Sequence, residues 1–209
     1  MNRLVPFLLF LGSCLNAERL SADFAEEVAN GVVSIERTVE RYYLHGSTGH
    51  DLTLDLASKR TAGERFTGWT RWRTRWTFQP VHTERGCEVG PVDVQLLITQ
   101  VLPGWHTPDD ADPEFLMRWR DYLDALEEHE NHHAHLAESA AQRIQATLQS
   151  LPARASCEQM RHEANRVGHQ QVEDLRRANH LYDDVTGHGA TQGAIFPASG
   201  ALARADTES

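Results

Sequence analysis

The sequence predicts an α+β fold in which a small antiparallel sheet packs against two long antiparallel helices. Three observations carry that expectation. Two stretches alternate apolar and polar residues, as half-buried strands do: Trp72, Thr74, Trp76 and Phe78, then Val92, Val94, Leu96 and Ile98. A stripe recurs every three or four residues through Phe115, Trp119, Tyr122, Leu126, His129, His133, Leu136, Ala140, Ile144 and Leu148. A second runs through Cys157, Met160, Ala164, Val167, Gln171, Leu175, Ala178 and Tyr182. The 209 residues are 40% hydrophobic and 24% charged, ordinary for one globular domain. Twenty basic against thirty acidic residues leave a net charge of −10, which gives no electrostatic case for nucleic acid or an anionic bilayer as partner.

Residues 1–17 read as a secretory signal peptide, with Arg3 before an apolar run from Leu4 to Leu11 too short to span a membrane. The chain is therefore expected to be exported, to the periplasm, the outer membrane or the medium. Leu11-Gly12-Ser13-Cys14 resembles a lipobox, so Cys14 is a candidate lipid anchor and the one route to a membrane. Cleavage near Ala17 is the other exit. Either way Cys87 and Cys157 remain as a pair in an oxidising compartment, which favours a disulfide over two free buried thiols. One domain is expected over residues 18–197, and a small, polar, mobile tail over 198–209.

Within that domain, residues 21–34 read as a lead-in. Tyr42-Tyr43-Leu44 favours a strand, and the glycines at 46 and 49 mark a turn. Asp51 to Ala57 suits a short helix. The two alternating stretches form a hairpin with Arg71, Arg73 and Arg75 on its wet face, and Pro103-Gly104 is expected to end the sheet. Asp112-Pro113-Glu114 opens the first long helix, with a capping aspartate, proline in the first turn and an acid at the positive end of the dipole. Pro152 follows its end, and Ser156 with Gln159 forms a capping box for the second.

The chemistry is concentrated on the first helix. His129-Glu130-Asn131-His132-His133 is an H-E-x-x-H pattern, whose two histidines, four apart, share one helical face and can reach one metal ion. Both lie on the apolar stripe, and buried imidazoles without partners are costly. The expected cofactor is one Zn2+ per chain, with Glu130 as the base that deprotonates a zinc-bound water. His132 and His135 lie off that face, as solvated or supporting groups. His162, His169 and His180 are expected to point outward from the second helix. The third ligand is assigned to His188, just beyond the second helix, with Asp183 as its orienting partner or as the alternative ligand. Tyr182 and Arg177 are candidate donors to the transition-state oxyanion.

A family resemblance rests on several of these residues together. They are Cys87 and the strand after it, Leu102-Pro103-Gly104-Trp105, Trp119, the H-E-x-x-H, Cys157, and Tyr182-Asp183-x-x-Thr186-x-His188-Gly189-x-x-Gln192-Gly193. From about Tyr42 to Pro197 the chain resembles an uncharacterised bacterial family of predicted secreted zinc-dependent proteases. The resemblance implies a metallopeptidase acting on a peptide or protein substrate and a Cys87–Cys157 disulfide; the H-E-x-x-H helix itself is expected to be zincin-like. A non-catalytic zinc-binding envelope protein and an amidase acting on cell-wall peptides are the other classes compatible with the same residues.

Overall fold

The computed structural model describes residues 31–59 and 67–197. The expected signal peptide, the candidate anchor Cys14 and the expected tail 198–209 lie outside the described residues. In chain order the elements are β1 (Val33–Leu44), α1 (Gly49–Lys59), β2 (Trp69–Thr83), β3 (Gly86–Trp105), α2 (Pro113–Gln149) and α3 (Cys157–Thr186), with a 3-10 turn at Ala190–Gln192. Among the described residues, no helix is long and apolar enough to cross a membrane.

The fold is α+β, but its sheet is mixed rather than antiparallel. The strand order is β1-β3-β2. β2 and β3 form the expected antiparallel hairpin, whereas β1 lies parallel on the other side of β3, from Val33↔Val94 to Leu44↔Trp105. β1 extends well upstream of Tyr42, paired along its length with β3, and the sequence hides this because the alternation is masked. Arg37 and Arg41 stand opposite the buried residues Ile98 and Leu102, in register positions that usually carry apolar side chains. They pair with Glu138 (2.9 Å) and Glu127 (2.5 Å) of α2. β3 also runs past the expected stop at Pro103-Gly104. β2 has already left the pairing at Trp69↔Val101, so Pro103 interrupts no hairpin ladder.

One face of the sheet is covered. Val92, Val94, Leu96 and Ile98 are buried against Ala134, Ala137, Ala140, Ala141, Ile144 and Leu148 of α2, and Ala164 and Leu175 of α3 join them. Full burial of each large side chain contributes about 1.5–3 kcal/mol. The four alanines let α2 approach the strands closely, and a leucine at any of them would overpack the layer at a cost of about 1–3 kcal/mol. A second cluster is aromatic: Trp105, Phe115, Trp119 and Tyr122 meet with Leu44, Leu52, Leu56, Leu102 and Leu126. Tyr122 and Phe196 pack edge to face with centroids 5.4 Å apart, which ties the last described residues back to α2.

Both helix starts form as their sequences dictate. Asp112 accepts from the Glu114 amide at 3.0 Å, and the Ser156 hydroxyl accepts from the Gln159 amide at 3.2 Å. Cys87 and Cys157 form a disulfide with Cα atoms 5.1 Å apart, joining the hairpin to the start of α3. Cys87 and Arg154 exchange backbone hydrogen bonds beside it, at 2.8 and 2.9 Å.

Candidate metal centre

The H-E-x-x-H segment lies where the two hydrophobic clusters meet. Leu126, one turn before it, belongs to the aromatic cluster, and Ala134, just after it, belongs to the aliphatic one. His129, Glu130 and His133 are accordingly only 2%, 3% and 7% exposed. The i and i+4 spacing places the imidazoles 4.8 Å apart between centroids, with their rings nearly perpendicular. Their Nε2 atoms are 3.2 Å apart.

The third converging atom is Asp183 Oδ1, 3.2 Å from His129 Nε2 and 3.0 Å from His133 Nε2. The sequence favoured His188 here, with Asp183 as its orienting partner or the alternative ligand; in the structure it is Asp183 whose oxygen stands beside both Nε2 atoms. α3 is one turn longer than the apolar stripe suggests. Thr186 closes that turn by donating to the Tyr182 carbonyl at 2.7 Å, and Gly187 ends it with φ +57°. The extra turn keeps Asp183 on the helix and aims it at α2. His188 follows in the left-handed region, φ +56°, a conformation uncommon for any residue but glycine. Its Nδ1 lies 3.4 Å from the same Asp183 oxygen, with the side chain 41% exposed at the rim.

The donor chemistry of the cluster fits a cation. Asn179 gives its amide N–H to the Leu175 carbonyl at 2.8 Å, so its oxygen faces His133 Nδ1 at 2.6 Å and accepts from it. Gln192 Oε1 stands 3.0 Å from His129 Nδ1 and accepts from it in the same way. Each ring thus donates outward from Nδ1 and turns the Nε2 lone pair inward, the arrangement that orients metal-binding histidines. Two lone pairs and a carboxylate oxygen within 3.2 Å of one another form a donor set that could hold a metal ion. Tetrahedral zinc with bonds of about 2.0–2.1 Å separates its ligand atoms by about 3.3 Å, close to the spacings found here. The electrostatics agree. Burial raises the Asp183 carboxyl, but its contacts with His129 and His133 outweigh it and hold the group well below the usual carboxylate range. Burial opposes protonation of His133, yet Asp183 and Asn179 together raise its affinity for a proton.

Glu130 points to the same place from its own side of α2. Burial raises its carboxyl above the ordinary range, against a hydrogen bond from Thr70. Thr70 Oγ1 donates to Glu130 Oε2 at 2.7 Å. The three cluster residues and Glu130 line one cleft of about 450 Å³, whose other wall is the start of β2 from Thr67 to Trp72.

Two candidate oxyanion donors do not face this cleft. Tyr182 stacks on His129 (4.9 Å) and His132 (3.9 Å), and its hydroxyl meets Gln192, on the Nδ1 side of the rings. Arg177 is turned to Asp174. In their place Arg176 and His180 line the cleft, although His180 was expected to point outward. α3 presents two faces, a core face through Met160, Ala164 and Leu175 and a cleft face through Arg176, Asn179, His180 and Asp183, and the apolar stripe reveals the first alone. Asn179 was legible as the residue one turn before Asp183, and Gln192 stands in the quoted motif; no sequence signal marks Thr70.

Gly189 explains the strap after α3. It has φ +84°, and a Cβ there would sit 3.1 Å from Cγ of His129 and 2.9 Å from Cβ of Ala194. The backbone therefore passes directly against the histidine, which brings Gln192 to its ring.

Ligand-type side chains also gather at His82, Cys87 and Cys157. There the disulfide consumes both sulfurs, and His82 Nε2 lies 3.4 Å from Cys157 Sγ.

Residues 39–189 match a family described as a bacterial protein of unknown function, DUF922. The chain belongs to that family. The match begins within β1 and ends at Gly189, so it includes the His129–His133–Asp183 cluster, Glu130 and the disulfide. No curated protein and no solved structure matches the chain.

Proposed function

We propose that this DUF922 protein is an exported zinc-dependent metallopeptidase that binds one zinc ion through His129, His133 and Asp183, with His188 at the open side of the site. The observation that carries the reading is the convergence of two Nε2 lone pairs and one carboxylate oxygen beside a buried glutamate, in a cleft open to a substrate. Zinc in such a site supplies a Lewis acid and lowers the pKa of water to about 7.

The chain's own residues divide the remaining work. Asn179 and Gln192 fix the tautomer of the two imidazoles and hold their rings. Glu130, raised in pKa by burial and oriented by Thr70, takes the proton of the attacking water and passes it to the leaving amine. The start of β2 offers an extended peptide a wall along which to lie, as strand addition requires. The disulfide accords with export.

Elemental analysis combined with Glu130→Gln tests the proposal. The variant is expected to keep one zinc per chain and to lose about 10²–10⁴-fold in peptide cleavage. Equal cleavage by both proteins would remove Glu130 as the base. Zinc-loaded protein that cleaves nothing, with or without the substitution, would instead describe a non-catalytic zinc binder.

A further inference from the structure

The cleft departs in charge from the chain as a whole. The chain carries a net charge of −10, yet the cleft's carboxylates among the described residues are Glu130 and Asp183 alone. Both are engaged, Glu130 with Thr70 and Asp183 with the two histidines. The remaining ionisable side chains lining it are Arg176, His180 and His188. Arg176 stands against the β2 wall of the cleft. Its guanidinium lies over the ring of Trp72, 6.0 Å from the centroid, with the β2 wall beneath it. It also pairs with Glu173, which does not line the cleft, and both side chains are more than half exposed. An exposed pair of this kind is weak, so an incoming carboxylate can replace or share it with bidentate geometry.

From these observations, and resting on the metallopeptidase reading, we infer that Arg176 is a specificity residue and that the preferred substrate carries a carboxylate close to the scissile bond. Arg176 and Asp183 are two turns apart on one face of α3, about 10 Å along the axis. An extended peptide covers that distance in about three residues, at roughly 3.3 Å each. The anionic group therefore belongs two or three residues from the bond cut. Trp72, and Phe196 across the cleft, supply an apolar lining for the residues between.

Binding of metal-directed peptide hydroxamates tests this without any need for turnover. Zinc-loaded protein is titrated with three probes. One carries glutamate two or three residues beyond the hydroxamate with its C-terminus amidated, the second has glutamine in its place, and the third has glutamine with a free C-terminus. The glutamate probe is expected to bind about tenfold more tightly than the amidated glutamine probe, a preference that weakens in high salt. A matching gain for the third probe would identify a chain-terminal carboxylate as the preferred group. Arg176→Gln is expected to abolish the preference, the glutamate probe losing far more affinity than the glutamine probe. Glu173→Gln, which frees the guanidinium, is expected to strengthen the preference. Equal affinities in the wild-type protein, or a preference that survives in Arg176→Gln, would overturn the inference and leave the metallopeptidase reading intact. Failure of all three probes to bind the zinc-loaded protein would overturn the metallopeptidase reading, since the metal would not be open to a peptide ligand, and this inference with it.

Discussion

Two groups of three ligand-type side chains stand near opposite ends of α3, and they resolve the same chemical problem differently. At the start of the helix, Cys87 and Cys157 react with each other, and the neighbouring His82 is left at the surface. Near its end, His129, His133 and Asp183 bring three electron pairs together with no covalent outlet. The two differ in their supporting contacts. Among the described residues, no amide side chain orients the His82 ring in the way that Asn179 and Gln192 orient the buried pair. Proximity of ligand-type residues is thus a poor sign of a metal site; lone pairs held inward by partners on their far side are a better one.

The largest effect expected on this contrast comes from the ligands. His133→Ala and Asp183→Ala should each reduce bound zinc from one per chain to none, whereas His82→Ala should leave it unchanged; elemental analysis reads all three. His188→Ala is expected to retain the metal, and its loss there would return His188 to the coordination sphere. Next comes the disulfide. Replacing both cysteines by serine removes a cross-link over 70 residues, worth about 4 kcal/mol in the chain-entropy model. Thermal unfolding should fall by about 10 °C with the zinc content preserved. Because the two sites are about 40 Å apart along α3, the stability losses from chelation and from reduction should add to within about 0.5 kcal/mol. Smaller still are the supports: Asn179→Leu or Gln192→Leu should weaken zinc binding by about 10–100-fold in a competition titration without emptying the site at saturation.

The smallest effect is electrostatic and confined to the disulfide end. Glu163, hydrogen-bonded to Arg166 and paired with Arg154, has its carboxyl lowered from the usual 4.5 to about 2. A depressed carboxyl stabilises the folded state fully above its unfolded pKa and loses that contribution as pH falls through the folded value. Glu163→Gln should therefore unfold at a slightly lower temperature than wild type at pH 6. The difference should close between pH 4.5 and about 2. A constant difference over that range would assign the effect to packing.

What the sequence made legible follows from how local the determining physics is. The hairpin, the helix starts and the H-E-x-x-H face depend on residues within a turn or two of each other, and the structure realises them. β1 was only partly visible because Arg37 and Arg41 sit in register positions usually held by apolar residues, and partners 101 and 86 residues away make that tolerable. Asp183 was assigned second place to His188 because its position depends on where α3 stops. Thr186 and Gly187 set that end one turn beyond the apolar stripe. Thr70 lies 60 residues from Glu130, and no periodicity connects them.

The Cys87–Cys157 cross-link and the Asp183 contacts with α2 interlock in chain order, since residue 129 lies inside the span 87–157 and residue 183 outside it. A protease that cut the segment between α2 and α3 would therefore separate nothing. The two pieces would remain covalently joined at one end of α3 and seated on the cluster at the other, so nicked protein should migrate as one species without reductant and as two with it. Protein cut once there would keep the two histidines and Asp183 together and the cleft assembled.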